Sequence, residues 1–409
     1  MNQGLREHPP TPARRGTNQA GMRAYNERLV LTLVRAHGPL AKTEIARMTG
    51  LSAQTVSVIM RHLESDHLLR RGEPQRGRVG QPSVPLSLEP DGAFFIGVKI
   101  GSRGLDFVLV DFAGRIRHRE TEAYPYPRPA QVIARVRDGV RACERLLGPK
   151  AERIAGVGIA IPFLLWEWAE AVGAPPEELD LWRHTDIRAD LDAALPYPVY
   201  LQNDATAACG AELVFGDHPG LRDFLYFYVG AFIGGGLVVD GGLYTGRSGN
   251  AAAVGSMQVP KPGGGTEQLI HQASLVVLER RLRAAGIDIA PLYDPEGDWT
   301  GFGAELDAWL GQAAEGLAAA IAVSAALMDL EAAVIDGALP APVEARLVAK
   351  TRAALGRMDL SGVRPPEIKP GTIGPLARAL GGASLPLFDR YLVEQHRLAS
   401  IRADPAAAG

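Results

Sequence analysis

One pattern occurs twice in this chain, and it limits the fold more than anything else in the sequence. Residues 94–100 read FFIGVKI, followed by a glycine turn (GSRG, 101–104) and a second apolar run (LDFVLV, 105–110). Asp111-Phe112-Ala113-Gly114 then turns into a third short run at 115–117. Residues 224–229 (FLYFYV) open the same series again: a glycine loop at 230–236 (GAFIGGG), LVV at 237–239, Asp240-Gly241-Gly242, then Leu243-Tyr244. Short apolar runs punctuated by glycine and aspartate read as strands joined by tight turns. A three-strand unit used twice implies two related lobes.

The remainder alternates strands with helices. A helix is expected over 129–147, a strand over 154–161 (IAGVGIAI), and a strand at 198–201 with a helix of small residues behind it. Helices follow over 266–285 and 302–328. The second of these places Leu306, Trp309, Leu310, Ala313, Leu317 and Ile321 on one face. A strand at 332–335 ends in Asp336-Gly337-Ala338. Such alternation predicts α/β lobes, and 409 residues are enough for two or three units with cores of their own.

The front of the chain has a different character. Residues 1–88 hold 13 Lys/Arg against 6 Asp/Glu, a balance of +7; the net charge of -3 leaves -10 for the remainder. A basic front on an acidic body points to a polyanionic partner for the front. Residues 26–37 (NERLVLTLVRAH) form an amphipathic helix stopped by Gly38-Pro39, and residues 42–48 form a short helix ending at Thr49-Gly50-Leu51. Ser52 then caps a helix over 53–63, whose Val56, Ile59, Met60 and Leu63 make the buried stripe. This is a helix-turn-helix, and Lys42, Thr43, Gln54, Thr55, Ser57 and Arg61 are its candidate DNA contacts. A two-stranded wing over 68–88 carries Arg76 and Arg78 at its tip, suited to phosphates or a minor groove. The expected partner is a double-stranded DNA operator.

Residues 1–21 are rich in proline, glycine and arginine, lack an apolar leader stretch, and are expected to be a disordered tail. Residues 22–88 are then the winged module, 89–388 the two-lobed body, and 389–409 a C-terminal helix and tail. Only Cys143 and Cys209 occur, without metal-type spacing, which fits a reducing, cytoplasmic setting. The apolar run at 317–327 is too short to span a bilayer and reads as a buried helix.

With FIGVKIG, YLQNDATAACGAE, GGGLVVDGGLYTGRSGNAAAVG and AAVIDGAL in place, the chain from about 22 to 385 resembles the ROK family, which groups sugar-responsive repressors with sugar kinases. The resemblance implies a fold class of α/β with an N-terminal winged helix: a winged helix-turn-helix followed by a two-lobed actin-like ATPase body. It also implies a repressor of carbohydrate-related genes that works as a homodimer or homotetramer; the alternative is an ATP-dependent hexose kinase with an appended DNA-binding domain. Departures from the family's kinase pattern favour the first. Where a kinase has a metal-organising aspartate, as in GVDIGGT, this chain has Lys99, whose ammonium repels Mg²⁺. Where the phosphate loop reads GTGIGGG, it has Ala231 and Phe232. Where the sugar site reads AGEIGH, it has AAAVGS, and the stretch matching the family's cysteine cluster reads PKPGGGTEQLI. No catalytic residue, cofactor or metal is expected.

Asp204 aligns with the aspartate that in family kinases activates the sugar hydroxyl and in repressors holds the sugar. Read from the residues alone, it is either a helix N-cap or a ligand contact, since a base has no purpose without a phosphate to transfer to. Asn203 offers a donor and an acceptor to the same ligand. With Asn250, Ser256 and Trp182 these form the candidate effector site, for a sugar or another metabolite. Trp182 is equally suited to the core.

Overall fold

The computed structural model describes residues 19–74, 84–163, 165–169, 173–294 and 297–393. Helix α1 (Gln19–His37) starts earlier than its apolar pattern, taking in residues 19–21 of the segment expected to be disordered. The rest of that segment lies outside the described residues. Helix α2 (Lys42–Thr49) ends at Gly50, whose φ of 72° is the left-handed conformation that closes a helix at little steric cost. Helix α3 (Ala53–Ser65) begins at Ser52, whose hydroxyl accepts from the Thr55 N–H at 3.1 Å, and it buries Val56, Ile59, Met60 and Leu63. Strands β1 (Leu69–Arg71) and β2 (Leu86–Leu88) pair antiparallel as the stem of the wing. Arg76 and Arg78, expected at its tip, lie outside the described residues.

The first lobe consists of β3 (Phe94–Ile100), β4 (Gly104–Asp111), β5 (Ile116–Ala123), α4 (Pro129–Leu147), β6 (Ile154–Ile161), α5 (Ile187–Ala194), β7 (Val199–Asn203) and α6 (Asp204–Phe215). Its sheet order is β5-β4-β3-β6-β7, antiparallel across β3, β4 and β5 and parallel from β3 through β6 to β7. The second lobe has β8 (Phe224–Val229), β9 (Gly234–Val239), β10 (Gly242–Tyr244), β11 (Gln258–Pro260), β12 (Thr266–Gln268), α7 (Leu275–Ala284), α8 (Gly303–Met328), β13 (Ala332–Gly337), α9 (Ala341–Leu355), β14 (Glu367–Pro370) and α10 (Ala377–Tyr391). Its main sheet runs β10-β9-β8-β13-β14 with the same alternation of directions. The repeat in the sequence is therefore a repeat of sheet topology.

The helix expected over 266–285 is a strand at its front. Gly263, Gly264 and Gly265, all at positive φ, turn β11 back onto β12, and the helical segment resumes only at Ile270. Helix α8 is long and apolar enough, by length and composition, to cross a membrane. More than half of its apolar window is buried instead, with Leu306, Trp309, Leu310, Ala313, Leu317 and Ile321 in the second lobe's core.

Helix α10 leaves the second lobe and lies across the first. A Cβ on Gly381 would come within 2.0 Å of the Ala207 carbonyl oxygen, and one on Gly382 within 2.6 Å of the Gly158 carbonyl oxygen. Backbone therefore meets backbone, and only glycine permits the approach. The boundary expected at 388 falls inside this helix. Just beyond its end, the Leu392 carbonyl accepts from Arg28 Nε (2.7 Å) and the Val393 N–H donates to Thr32 Oγ1 (3.1 Å), both partners on α1. The winged module is held by more than these bonds. Leu29, Leu33, Ile45, Val56 and Leu63 share one continuous apolar cluster with Phe95, Val108, Phe112, Leu380 and Leu387 of the body.

Candidate functional site

The outer face of α3 is built by what its inner face buries. With the stripe from Val56 to Leu63 sealed, Gln54 and Arg61 are exposed, and Thr55 and Ser57 half-exposed. The Thr55 hydroxyl lies 2.9 Å from that of Ser52, and the Ser57 hydroxyl donates to the Ala53 carbonyl (2.8 Å), so both are partly engaged by their own helix. On α2, Thr43 is exposed and Lys42 half-buried. Val58 is 44% exposed on the same outer surface of α3. It lies off the buried stripe and is missing from the candidate contacts because those are chosen for polar groups; an exposed valine can meet a thymine methyl.

In the body, four charged side chains converge where β3, β4, α6 and α10 meet. Lys99 Nζ lies 3.1 Å from Asp106 Oδ2, and Asp106 also accepts from the Thr121 hydroxyl at 2.9 Å. Asp204 Oδ2 accepts from Arg378 Nη1 at 3.1 Å, and the Arg378 guanidinium lies 4.6 Å from the centre of the Tyr228 ring. Burial first, and Arg378 second, push the Lys99 ammonium below its ordinary value against the pull of Asp106 and Asp204. Burial also opposes the charge on Arg378, but Tyr228, Asp204 and Asp106 outweigh it and hold that group above its ordinary value. Two cations and two carboxylates compensate one another here. The Asp204 carboxylate is bound to a guanidinium instead of lying open to a substrate hydroxyl.

The N-cap of α6 is Asn203, not Asp204: its Oδ1 accepts from the N–H groups of Ala205 (3.1 Å) and Thr206 (3.2 Å). Asp204 is the first helical residue and faces Arg378. Trp182 takes the core alternative, 5% exposed in the first lobe, with its indole N–H donated to the Pro127 carbonyl at 2.9 Å. A ring enclosed in that way offers no face to a ligand. Asn250 and Ser256 are both exposed, on a loop and on a 3₁₀ turn. Of the expected effector residues, the structure places Asp204 in the cluster with Lys99, Asp106 and Arg378, while the Asn203 side chain turns to the N-terminus of α6.

The loop at 230–236 is closed against the N-terminus of α7. The carbonyls of Gly230 and Ala231 accept from the first N–H groups of α7, Leu275 (3.0 Å) and Val276 (3.2 Å), and the Ile233 N–H donates to the Ser274 hydroxyl (3.0 Å). A helix N-terminus free of such partners is a ready anion site; here its donors are taken. The Phe232 ring packs against the apolar clusters of both lobes.

Two family models match this chain: the ROK family over residues 95–269 and a winged helix-turn-helix DNA-binding domain over 23–70. An uncharacterized protein, y4fQ, of Sinorhizobium fredii is 25% identical over 90% of this chain and 92% of its own. The xylose repressor of Bacillus subtilis is 23% identical over 59% of this chain, which spans 62% of that repressor's length. Among solved structures, a ROK family transcriptional regulator homologous to the Escherichia coli MLC protein superposes with a TM-score of 0.66 at 20% identity, over 93% of this chain and 98% of the other. A ROK family glucokinase from Streptomyces griseus, in complex with glucose and AMPPNP, gives 0.56 at 24% identity over 72% and 99%. At these identities the superpositions establish the fold, a winged helix ahead of an actin-like ATPase body.

Proposed function

We propose that this chain, which carries a ROK family domain behind a winged helix-turn-helix, is a DNA-binding transcriptional regulator of the repressor type whose body senses a ligand and does not transfer phosphate. The observation that carries the reading is the outer face of α3: Gln54, Ser57, Val58 and Arg61 reach solvent from a capped helix whose other face is locked into the core. A helix presented in this way fits the major groove, with its N-terminal side chains against base edges. The xylose repressor among the relatives supports a carbohydrate-related set of target genes. The setting is the cytoplasm, and the assembly a homodimer or homotetramer whose paired modules read a two-fold operator.

The body's role as a sensor rests on the Lys99, Asp106, Asp204 and Arg378 cluster and on the closed 230–236 loop. Lys99 stands where magnesium would be organised, and Arg378 holds the carboxylate that would act as base. A sugar or other metabolite reaching Asn203 and Asp204 must compete with that guanidinium, and its binding shifts the geometry to which α10 is attached.

Footprinting with salt titration tests the DNA reading. Wild-type binding should weaken steeply with salt, Arg76→Ala should flatten the slope, and Gln54→Ala should mainly relax base preference. No protected site at low salt across the chain's own upstream region would sink it. A coupled assay with ATP and a hexose panel tests the sensor reading; turnover abolished by Asp204→Asn would make the body a kinase instead.

A further inference from the structure

A cavity of about 420 Å³ lies at the joint between the winged module and the first lobe, and it is lined by Arg35 of α1, Arg70 of β1 and Arg115 of the β4–β5 turn. No aspartate or glutamate is among the described residues that line it. Among the described residues none of these three guanidiniums forms an ion pair with a carboxylate, whereas Arg71 and Arg117, close by in the sequence, both do. Among the described residues the Arg70 guanidinium donates to the Ser87 hydroxyl alone, at 3.3 Å. Arg35 is the deepest of the three. It lies beside the rings of Phe112 and Phe215 and donates through Nη2 to the Phe112 carbonyl, but its buried Nε has no hydrogen-bond partner among the described residues. A buried guanidinium donor without an acceptor is costly. Burial draws this group down to about 10, with Asp111 the one carboxylate pulling the other way. That carboxylate is already engaged by Arg117 and by the N–H groups of Ala113 and Arg115. Gly114 keeps the approach open: at φ 91° it carries no side chain, and a Cβ there would lie 3.6 Å from Arg35 Nη1 and 3.1 Å from the Phe215 ring.

We propose that this cavity binds a small phosphorylated metabolite, held by Arg35, Arg70 and Arg115 across the joint between the winged module and the body. The planar forks of three guanidiniums suit the oxygens of a phosphate dianion, and the volume lies in the range of small-ligand sites. Arg35 favours a small molecule over a DNA backbone, because its Nε is buried behind the exposed Arg70 and Arg115. Bound there, the ligand ties β1 of the winged module to the β4–β5 turn of the body. Only this last consequence, a ligand that fixes how the module is presented to DNA, rests on the regulator reading; the site itself does not.

Thermal melts of the full chain in inorganic phosphate, against sodium chloride of matched ionic strength, test the site. Phosphate is expected to raise the midpoint saturably, as a ligand of the folded state does. Arg70→Gln and Arg115→Gln, both at exposed positions that the fold tolerates, are each expected to raise the phosphate concentration needed for half the effect roughly tenfold. A wild-type midpoint no higher in phosphate than in chloride overturns the proposal, and so does a phosphate response unchanged in both variants. If phosphate is without effect while both variants weaken duplex binding, the two arginines are DNA contacts and the cavity is not a ligand site. The melts contain no DNA, so their outcome is independent of whether the chain regulates transcription.

Discussion

Asn203 and Asp204 are neighbours with separate duties, and mutation should separate them. Asn203→Ala removes an N-cap and should cost about 1 kcal/mol. Asp204→Asn strips the partner from a largely buried Arg378 and should cost more, about 3 kcal/mol, because an unpaired buried charge is left behind. Urea denaturation of both variants checks the order; equal losses would mean that the ion pair is worth no more than a cap. Buried acids give a second prediction. Glu344 is raised to about 8 by burial, then by Asp336 and Glu212, against the N–H of Gly371; Asp336 is raised to about 6 by burial, though Tyr226 donates to it. His218, 3.3 Å from Glu212, is the nearby base. Carboxyls whose folded pKa exceeds the unfolded value bind more protons when folded, so their contribution is fully present below about 3.8 for Asp336 and about 4.5 for Glu344 and is lost as pH rises through the folded value. Stability should therefore fall between pH 5 and 8 at roughly constant salt, and Glu344→Gln should flatten that fall. Thermal midpoints across the range decide it. In the sequence, Lys99 and Phe232 stood out because each breaks a pattern. Arg378 gave no such signal: it sits in an ordinary helical stretch, 174 residues from the carboxylate it holds, and no local periodicity encodes a contact at that separation.

Strands and helices with strong periodicity were legible almost to the residue. β3, β6 and α8 lie where alternation and apolar spacing placed them, since burial on one or two faces dictates those patterns. The short β11–β12 hairpin was not, because three residues are too few to show a period, and Gly263 to Gly265 read only as a break. α10 was blurred for a different reason. Its glycines and Pro386 argue against a helix in isolation, but they are there to let its backbone approach Gly158 and Ala207. Gly382→Ala should therefore cost about 1–3 kcal/mol, since the neighbouring backbone cannot give way, whereas a helix free in solvent would gain from the change. Denaturant melts of this variant measure which effect wins.

At the scale of the molecule, the sequence marks a boundary near residue 88 that the packing ignores. Leu29, Val56 and Leu63 belong to the same cluster as Phe95, Phe112 and Leu387. A fragment ending at 88 loses the body's half of that core, so it should melt well below the full chain, or fail to give a cooperative transition by circular dichroism. The change in charge and composition at the boundary concerns the outer surface of each part and says nothing about whether the two parts share an interior.

Helix α10 begins beside Asp204 and is followed directly by the residues that hold α1, a span of roughly 22 Å at 1.5 Å per residue. Any solute that draws Arg378 from its carboxylate acts on one end of a rod whose other end steadies the winged helix. Thermodynamic reciprocity then applies in both directions: to whatever factor such a solute loosens the grip on an operator, the operator must lower the protein's affinity for the solute. A titration of solute binding with and without duplex should return the same ratio as a titration of duplex with and without solute.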